Sequence, residues 1–265
     1  MSKIFLHEPH FFSDEIKNIS RCIKTGWVST GGQFVSEFEN RISKFTKSKF
    51  SLALNSGTSA LDLSLKVLSI KERDEIIVPT ITFIAPINVV LYNNCSPIFM
   101  DVDNYGNIDP KKVIEFITNQ TVFKNGFTIN KKTGKKIKAI ILVHVFGNIV
   151  QINKIIRLCK KRNIKVIEDA SESLGTYFAN KSRLSHSGTL GDIGCISFNA
   201  NKIITTGAGG AILTNSKIMY DKLYYLSTQA KNDPINFIHD EVGYNMRLNN
   251  ISAAIGVSQF KSLNK

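Results

Sequence analysis

The chain has 265 residues, of which 43% are hydrophobic, 9% aromatic and 21% charged. This composition is typical of a packed globular protein and excludes disordered and collagen-like chains. Lysine and arginine (34) outnumber aspartate and glutamate (21), so the formal net charge is +13. No apolar run approaches the ~20 residues that a membrane span needs, and the polar N-terminus leads us to expect no signal peptide. Four widely separated cysteines argue against a disulfide framework or a zinc site and predict a cytoplasmic protein.

The excess positive charge lies in residues 111–165, which contain 14 lysines and arginines and a single acid, Glu115. Several of these lysines flank Thr133-Gly134, a turn between two strand-like runs, so we expect a solvated hairpin tip there. Few aromatic residues are interleaved with the lysines, which disfavours stacking on nucleic-acid bases. A solvent-exposed face that helps to attract an anionic substrate is therefore favoured over nucleic-acid binding.

From residue 50 onward, short apolar runs alternate with amphipathic runs. The apolar runs predict seven strands, at residues 50–54, 75–78, 98–102, 137–143, 164–168, 195–198 and 211–214. The amphipathic runs predict helices at residues 58–68, after an N-cap at Asp109, at residues 151–161 and after Ser216. The alternation predicts an α/β fold with a mostly parallel seven-stranded sheet and helices on both faces. Because such sheets bind ligands at the carboxyl ends of their strands, the loops that follow strands are the candidate sites.

The first such loop is Asn55-Ser-Gly-Thr-Ser-Ala60, between a predicted strand and a predicted helix. Gly57 lets the backbone approach a ligand closely, and Thr58 and Ser59 offer hydroxyl and N–H groups at a helix N-terminus, where phosphate binds well. An ordinary helix cap explains the same residues, and for this loop alone the cap is the better interpretation.

The second loop follows two acids, Glu168 and Asp169, at the end of a predicted buried strand, with Glu172 one helical turn later. A buried acid is costly unless a cation pairs with it. A protonated heterocycle would serve, and so would a buried arginine or lysine. Asp169 is the better candidate for a binding site because it lies nearer the carboxyl end of the strand.

The third loop contains Lys202, which lies between an apolar strand and the Gly-rich turn Gly207-Ala-Gly-Gly210. Partial desolvation makes a lysine amine a better nucleophile, and the glycines leave room for a flat ligand. A surface turn with an incidental lysine is the alternative, and this segment alone does not decide between them.

Together, a phosphate-binding loop, a strand-end aspartate and a lysine before a Gly-rich turn are the parts that a pyridoxal phosphate site requires. The lysine forms the Schiff base with the cofactor, and the aspartate keeps the pyridine nitrogen protonated so that the ring accepts electrons. The order and spacing of these residues match fold-type I pyridoxal enzymes.

The chain resembles the DegT/DnrJ/EryC1/StrS family of sugar aminotransferases along essentially its whole length. Eight motifs in register carry the resemblance: Thr25-Gly-Trp-Val-Ser29, Asn55-Ser-Gly-Thr-Ser-Ala60, Pro79-Thr-Ile-Thr-Phe83, Asp101-Val-Asp103, His144-Val-Phe-Gly147, Glu168-Asp-Ala170, Ser197-Phe-Asn-Ala-Asn-Lys202 and Gly243-Tyr-Asn-Met-Arg247. Leu6-His-Glu-Pro9 and the Ser-Phe-Asn-x-Asn-Lys run at residues 197–202 are most similar to the branch that aminates UDP- or GDP-linked 4-keto-6-deoxy-N-acetylhexosamines in legionaminic-acid-type pathways.

The resemblance implies a pyridoxal-phosphate-dependent aminotransferase with the large domain of fold-type I enzymes. It would move an amino group from an amino acid, L-glutamate by analogy, to a 4-keto nucleotide-activated deoxy sugar for bacterial surface polysaccharide, lipopolysaccharide or nonulosonate biosynthesis. A homodimer with shared active sites is implied as well. A sugar dehydratase is disfavoured because relatives with that chemistry carry histidine in place of Lys202. A non-catalytic cofactor-binding remnant is the other alternative.

The resemblance also implies residue roles. Lys202 is the Schiff-base lysine and the proton shuttle, Asp169 pairs with the pyridine nitrogen, Phe83 stacks on the ring and Glu172 stands near the ring hydroxyl. The other implied positions are Gly57, Thr58 and Ser197 at the phosphate with Ser59 beside them, Asn245 at the phosphate of the neighbouring subunit, and Trp27 and Ser29 on a loop that lines the site. For Trp27, simple packing is an equally good interpretation.

The resemblance divides the chain into residues 1–25, a segment that packs on a small domain in relatives, and residues 26–265, the pyridoxal-phosphate-binding large domain. Full-length relatives continue into a smaller C-terminal domain of about 100 residues, which we expect to be absent from this chain. Ala200 and Ala208 stand where close relatives usually have glycine, or glycine or glutamate at the second position. Alanine in a backbone conformation of positive φ would strain this turn by ~1 kcal/mol or more.

Overall fold

The computed structural model of the protein describes residues 7–180, 183–233 and 235–263. Leu6 of the N-terminal motif and residues 1–6 of the expected N-terminal segment lie outside the described residues. Within the described ranges, no helix combines the length and the apolar character needed to cross a membrane.

The described helices and strands alternate along much of the chain. The helices are α1 (Ser13–Thr25), α2 (Gln33–Thr46), α3 (Gly57–Val67), α4 (Ala85–Tyr92), α5 (Pro110–Asn119), α6 (Asn153–Lys161), α7 (Lys217–Ser227) and α8 (Asn250–Gln259). The strands are β1 (Phe50–Leu54), β2 (Glu75–Pro79), β3 (Ser96–Met100), β4 (Thr121–Lys124), β5 (Phe127–Asn130), β6 (Lys136–Val143), β7 (Lys165–Asp169), β8 (Tyr177–Asn180), β9 (Arg183–His186), β10 (Ile193–Ser197), β11 (Gly210–Thr214), β12 (Lys231–Asp233) and β13 (Ile238–His239).

Seven strands form the main sheet in the order β1-β11-β10-β7-β6-β2-β3. The pairs from β10 to β3 are parallel, and β11 is antiparallel to both of its neighbours. The hairpin β4–β5 pairs with the start of β6 and extends this sheet to nine strands. The prediction of a mostly parallel seven-stranded sheet is therefore confirmed, with one added hairpin.

The sheet is covered on both faces, as the near-continuous apolar strands predicted. On one face, Leu52, Ile167 and Ile212 pack under α3, α4 and α7. On the other face, α1, α2 and α8 cover one half of the sheet and α5 and α6 cover the other half. Successive side chains of a strand point to opposite faces of the sheet. Two neighbouring residues within a strand therefore do not both point into the same pocket.

The helix starts follow the capping residues seen in the sequence. The Asp109 carboxylate accepts a hydrogen bond from the N–H of Lys111 (2.7 Å), and the Ser216 hydroxyl accepts one from the N–H of Met219 (3.3 Å). The predicted position of β3 was wrong by two residues, since this strand begins at Ser96-Pro97. Proline is tolerated there because β3 is an edge strand of the main sheet.

Helix α1 packs against α8 within the described residues. The Asn18 amide donates to the Ser258 hydroxyl (2.9 Å), and the Gln259 amide donates to the Glu15 carboxylate (2.8 Å) and to the His10 carbonyl (2.9 Å). These buried or half-buried contacts join the start of the described chain to its last helix. The division at residue 26 stays a prediction.

The lysine-rich turn lies far from the pocket described below. Strands β5 and β6 are antiparallel, with Thr128 opposite Ile137, so residues 131–135 form the expected hairpin turn. This turn precedes the first residue of β6, whereas the pocket lies beyond its last. Eight strand residues separate the two ends by about 25 Å. The turn is therefore badly placed to guide an anionic substrate into the pocket.

Candidate active site

A pocket of about 510 Å³ opens at the carboxyl edge of the main sheet. Its walls are loops that follow strands, as expected for an open α/β sheet. The lining residues are Ser56, Gly57, Thr58 and Leu61 after β1; Ile81, Thr82, Phe83 and Ala85 after β2; Val143, His144, Val145 and Phe146 at the end of β6; Asp169, Ser171 and Glu172 at the end of β7; and Ser197, Asn199, Asn201, Lys202, Ala208 and Gly209 between β10 and β11.

The N-terminus of α3 forms one wall of the pocket. The Ser56 hydroxyl accepts the N–H of Ser59 (3.0 Å), and the Ser56 carbonyl accepts the N–H of Ala60 (3.1 Å). The N–H groups of Gly57 and Thr58, at the first turn of the helix, have no intrahelical acceptor. They line the pocket beside Ser197, and together these groups suit an anion such as a phosphate.

Gly57 is required by close packing. A Cβ atom at this position would lie 2.8 Å from the Cβ of Ser197. We expect Gly57→Ala to push Ser197 out of the phosphate wall and to weaken pyridoxal phosphate binding by about 5- to 150-fold, the equivalent of ~1–3 kcal/mol of overpacking. An absorbance titration measures this change. Gly31→Ala, whose Cβ would make an ordinary 3.7 Å contact outside the pocket, is the control. Equal affinities for both variants would contradict the assignment.

The two acids at the end of β7 point to opposite faces of the sheet. Asp169 lines the pocket and is 5% exposed. Its carboxylate accepts the N–H of Ser171 (3.0 Å), and burial raises the pKa of this acid, although Ser171, His144 and Lys202 counteract the rise in part. An acid that is buried beside an open pocket in this way favours a cationic ligand group.

Glu168, by contrast, is fully buried and belongs to the scaffold. Its carboxylate accepts the N–H groups of Gly188 (2.9 Å), Leu190 (2.7 Å) and Gly191 (2.6 Å), and it is 2.9 Å from Nε2 of His144. Burial alone would raise the pKa of Glu168, but these hydrogen bonds, including the one from His144, outweigh burial and lower it. Glu168 therefore anchors the end of β7 to the 188–191 turn.

The Nδ1 atom of His144 accepts the N–H of Val150 (3.2 Å). Nε2 therefore carries the ring proton and donates it to Glu168. The backbone N–H of His144 donates to the Asp169 carbonyl (3.0 Å). The His144–Glu168 pair thus fixes the backbone from which Asp169 projects.

We expect Glu168→Gln to destabilise the chain by about 3–5 kcal/mol at pH 7, because an amide nitrogen would face backbone N–H donors. Urea unfolding measures the loss, and Glu115→Gln on the exposed side of α5 is the control. Since folding lowers the pKa of Glu168, its contribution is present above the usual value of 4.5 and is lost as the pH falls below it. The variant should therefore lack part of the acid sensitivity of the native chain. Parallel pH profiles would contradict this account.

Lys202 follows β10 and lies in the pocket. Its Nζ is 3.3 Å from Oε1 of Glu172, and the side chains are 17% and 34% exposed. The second carboxylate oxygen of Glu172 accepts the N–H of Phe146 (2.9 Å). The carboxylate of Glu172 therefore holds both the amine of Lys202 and the backbone of the loop after β6.

Seven of the residues proposed from the sequence meet in this pocket: Gly57, Thr58, Phe83, Asp169, Glu172, Ser197 and Lys202. The other four do not line it in the single chain. Ser59 donates its hydroxyl to Asn55 (2.6 Å), and Asn245 is exposed beyond α7. The backbone carbonyls of Trp27 and Ser29 accept hydrogen bonds from Asn250. The roles of all eleven residues stay predictions.

The Gly-rich turn accommodates its alanines without strain. The positive φ of this turn, 80°, falls on Gly207. Neither Ala200 nor Ala208 is among the residues with positive φ. The strain considered for these alanines therefore does not arise.

Several lining residues were not proposed from the sequence. The polar and aromatic ones among them are Ser56, Thr82, His144, Phe146, Ser171, Asn199 and Asn201. Most of them belong to motifs noted in the sequence. Their position directly after predicted strands is the sequence feature that could have identified them. The hydroxyl of Thr82 is a buried polar atom without a hydrogen-bond partner among the described residues.

The residues of this pocket fit pyridoxal phosphate. The close-packed Gly57–Ser197 wall leaves the N–H groups at the start of α3 for the phosphate. Asp169 offers a buried carboxylate to a protonated pyridine nitrogen, and Lys202 offers a partly buried amine to the aldehyde. The N-terminus of α3, the carboxylate of Asp169 and the amine of Lys202 thus line one cavity.

The chain matches the model of the "DegT/DnrJ/EryC1/StrS aminotransferase family" over residues 10–265. It is 36% identical over 261 residues to GDP-perosamine synthase of Escherichia coli O157:H7. This alignment covers 98% of this chain and 66% of that protein. It is 35% identical over 251 residues to UDP-4-amino-4,6-dideoxy-N-acetyl-beta-L-altrosamine transaminase of Campylobacter jejuni (serotype O:23/36), covering 94% of this chain and 62% of that protein.

Among solved structures, PseC of Helicobacter pylori, an aminotransferase involved in the biosynthesis of pseudoaminic acid, superposes with a TM-score of 0.85 at 29% identity. The match covers 99% of this chain and 66% of that chain. This chain thus spans about two thirds of the length of the relatives that it matches. The agreement of family model, relatives and fold shows that the chain belongs to the DegT/DnrJ/EryC1/StrS aminotransferase family.

Proposed function

We propose that this chain carries the active site of a pyridoxal-phosphate-dependent aminotransferase that acts on a nucleotide-activated 4-keto deoxy sugar. One observation carries the proposal: the amine of Lys202, the buried carboxylate of Asp169 and the N-terminus of α3 line a single pocket. Each group occurs in many proteins, but their combination suits one cofactor.

The N–H groups of Gly57 and Thr58 and the Ser197 hydroxyl would hold the phosphate of the cofactor. Asp169 would hold the pyridine nitrogen, and Lys202 would bind the aldehyde. When bound, pyridoxal phosphate supplies a carbonyl carbon that carries an amino group from one substrate to the next and a ring that stabilises the carbanion formed on the way.

Among the described residues that line the pocket, Lys202 is the only lysine or arginine. Its Nζ is therefore our candidate for the base that removes a proton from the amino acid and for the acid that returns a proton to the sugar carbon. Glu172 orients this Nζ through their 3.3 Å contact. Phe83, which is 74% exposed, would cover the cofactor ring and keep water from it.

The printed names of the relatives support the substrate class. They include two enzymes named for perosamine and altrosamine nucleotides. L-Glutamate as the amino donor, the division of the chain at residue 26 and a cytoplasmic location are part of the same proposal. For the location, the support is four separate cysteines that are all free and buried.

A homodimer is also part of the proposal. Asn245, Trp27 and Ser29 lie outside the pocket of the single chain, so a neighbouring subunit is needed to bring them to an active site. Large apolar side chains are exposed between α1 and α2 and on α4, among them Trp27, Leu91 and Tyr92. Burial of these side chains between two copies would supply the driving force.

The test is complete turnover with [15N]glutamate and UDP- or GDP-linked 4-keto-6-deoxy sugars. We expect 15N to appear in the sugar nucleotide and an equal amount of 2-oxoglutarate to form. Cofactor binding without any 15N transfer would support the non-catalytic remnant instead. Formation of a deoxygenated sugar without incorporation of nitrogen would support the dehydratase.

A further inference from the structure

Phe146 has an unusual conformation at the mouth of the pocket. Its φ is 51°, in the left-handed region that bulky side chains rarely adopt. Its side chain lines the pocket and is 85% exposed, the largest exposed fraction among the phenylalanines of the described residues. A large apolar ring thus stands in solvent on a strained backbone.

The surrounding contacts impose this conformation. The N–H of Val145 donates to Oδ1 of Asn107 (3.1 Å), and the carbonyl of Gly147 accepts the hydroxyl of Thr176 (3.1 Å). Between these two contacts, the N–H of Phe146 donates to Glu172 (2.9 Å). Gly147 has a φ of 83°, and a Cβ atom there would lie 3.2 Å from the carbonyl oxygen of Glu172. The loop is thus held on both sides of Phe146 and turns its ring outward.

Neither the strain nor the exposure of Phe146 stabilises the folded chain. Asparagine and glycine adopt left-handed backbone more readily than phenylalanine, and a polar side chain would interact better with water. Strained residues that persist at the edge of a pocket often serve the ligand rather than the fold. Phe83, the other exposed phenylalanine of this pocket, is the residue that we propose covers the cofactor ring, so Phe146 is left for the substrate.

We propose that the ring of Phe146 is a contact surface for the sugar ring of the nucleotide-sugar substrate. This inference rests on the proposed function. Glu172 holds the N–H of Phe146 with one carboxylate oxygen and Nζ of Lys202 with the other. Phe146 is therefore fixed close to the reacting amine, where the keto carbon of the sugar must lie. The nucleotide is attached to the sugar on the side opposite the keto carbon, so it extends away from Nζ of Lys202. The phenyl ring of Phe146 would therefore contact the apolar face of the sugar.

The test compares Phe146→Asn with Phe146→Tyr and with Lys47→Asn. Lys47 also has a left-handed backbone (φ 60°), but it is exposed at the end of α2 and does not line the pocket. Two quantities are measured for each variant: the melting temperature of the cofactor-free chain, and calorimetric affinities of the cofactor-loaded chain for UDP, GDP and their 4-keto-6-deoxy sugars.

We expect Phe146→Asn and Lys47→Asn to keep or raise the melting temperature, because asparagine relieves the strain in both. Only Phe146→Asn should lose sugar-nucleotide affinity, by about tenfold, as expected for one lost aromatic contact together with the apolar area that it buries. Phe146→Tyr should retain the native affinity. The affinity for UDP or GDP alone should not change in any of the three variants.

A lower melting temperature of Phe146→Asn would show that the ring packs within the fold, and this result would overturn the inference. An unchanged sugar-nucleotide affinity, or an equal loss for the nucleotide alone, would overturn it as well. If the native chain takes up no pyridoxal phosphate, the proposed function fails and the inference fails with it. A native chain that binds the cofactor and transfers nitrogen while Phe146→Asn behaves as native refutes the inference alone.

Discussion

Replacement of Lys202 by alanine is expected to abolish transamination. The variant loses the amine that we propose binds the aldehyde of the cofactor and moves protons at the reacting carbon. Removal of a general acid–base group alone slows catalysis by about 10²–10⁴-fold, and the loss of the covalent attachment adds to this. Initial rates of 2-oxoglutarate formation measure the effect.

A chemical test accompanies the rate measurement. Borohydride reduction of the cofactor-loaded native chain, followed by peptide mass spectrometry, should place pyridoxal phosphate on the peptide that contains Lys202. Lys217→Ala is the matched control, because Lys217 is an exposed lysine on α7. It should be labelled and active like the native chain. Label on another lysine, or full activity of Lys202→Ala, would show that the assignment is wrong.

Replacement of Asp169 by asparagine has the second largest expected effect. The amide keeps the size of the side chain but removes the negative charge that we propose faces the pyridine nitrogen. Loss of a hydrogen bond to a charged group costs about 1.5–3 kcal/mol, which corresponds to about 10- to 150-fold in cofactor affinity. We expect the rate with L-glutamate to fall by about 10²–10³-fold, since the ring then stabilises negative charge poorly.

Two further observations separate this role from a structural one. Asp169→Asn should not lower the melting temperature of the cofactor-free chain, because burial raises the pKa of the native acid and its charge therefore opposes folding. A pyridoxal phosphate derivative that is methylated on the ring nitrogen carries a fixed positive charge, and it should restore part of the rate in the variant. A destabilised variant, or one that the derivative does not rescue, would contradict the role of Asp169.

Much of the sheet could be predicted because its strands are short apolar runs separated by polar caps. All seven predicted strands occur, Asp109 caps a helix as expected, and the expected helix follows Ser216. The hairpin β4–β5 was not predicted, although Asn125-Gly126 at its tip is a strong turn signal.

Two helices illustrate different limits of the sequence signal. Most residues of helix α8 have small or apolar side chains. Its buried residues, such as Ala253 and Val257, show little helical periodicity. It could not be distinguished from a strand or a loop by pattern. Helix α2 was also not predicted, but its buried residues Phe34, Phe38 and Ile42 have helical spacing. Helix α2 could therefore have been predicted from the sequence.

The candidate site could be predicted for residues whose type and position relative to the predicted strands together suggest a chemical role. Asp169 stands out because it ends a buried apolar strand, and Lys202 because it comes shortly before the Gly-rich turn. The separate tasks of Glu168 and Asp169 depend on which face of β7 each side chain takes, and the outward position of Phe146 depends on a backbone dihedral angle. Neither property can be seen in a single sequence. Asn245, Trp27 and Ser29 do not line the pocket of the single chain, so this structure does not test their predicted roles.

The most direct test of the central claim is a visible absorption spectrum of the purified chain with pyridoxal phosphate, followed by addition of L-glutamate. We predict an absorption band that L-glutamate removes, with formation of one equivalent of 2-oxoglutarate for each site. This result would show that the pocket binds the cofactor and accepts an amino group. A chain that binds no cofactor, or a band that L-glutamate leaves unchanged, would contradict the assignment of this pocket as an aminotransferase active site.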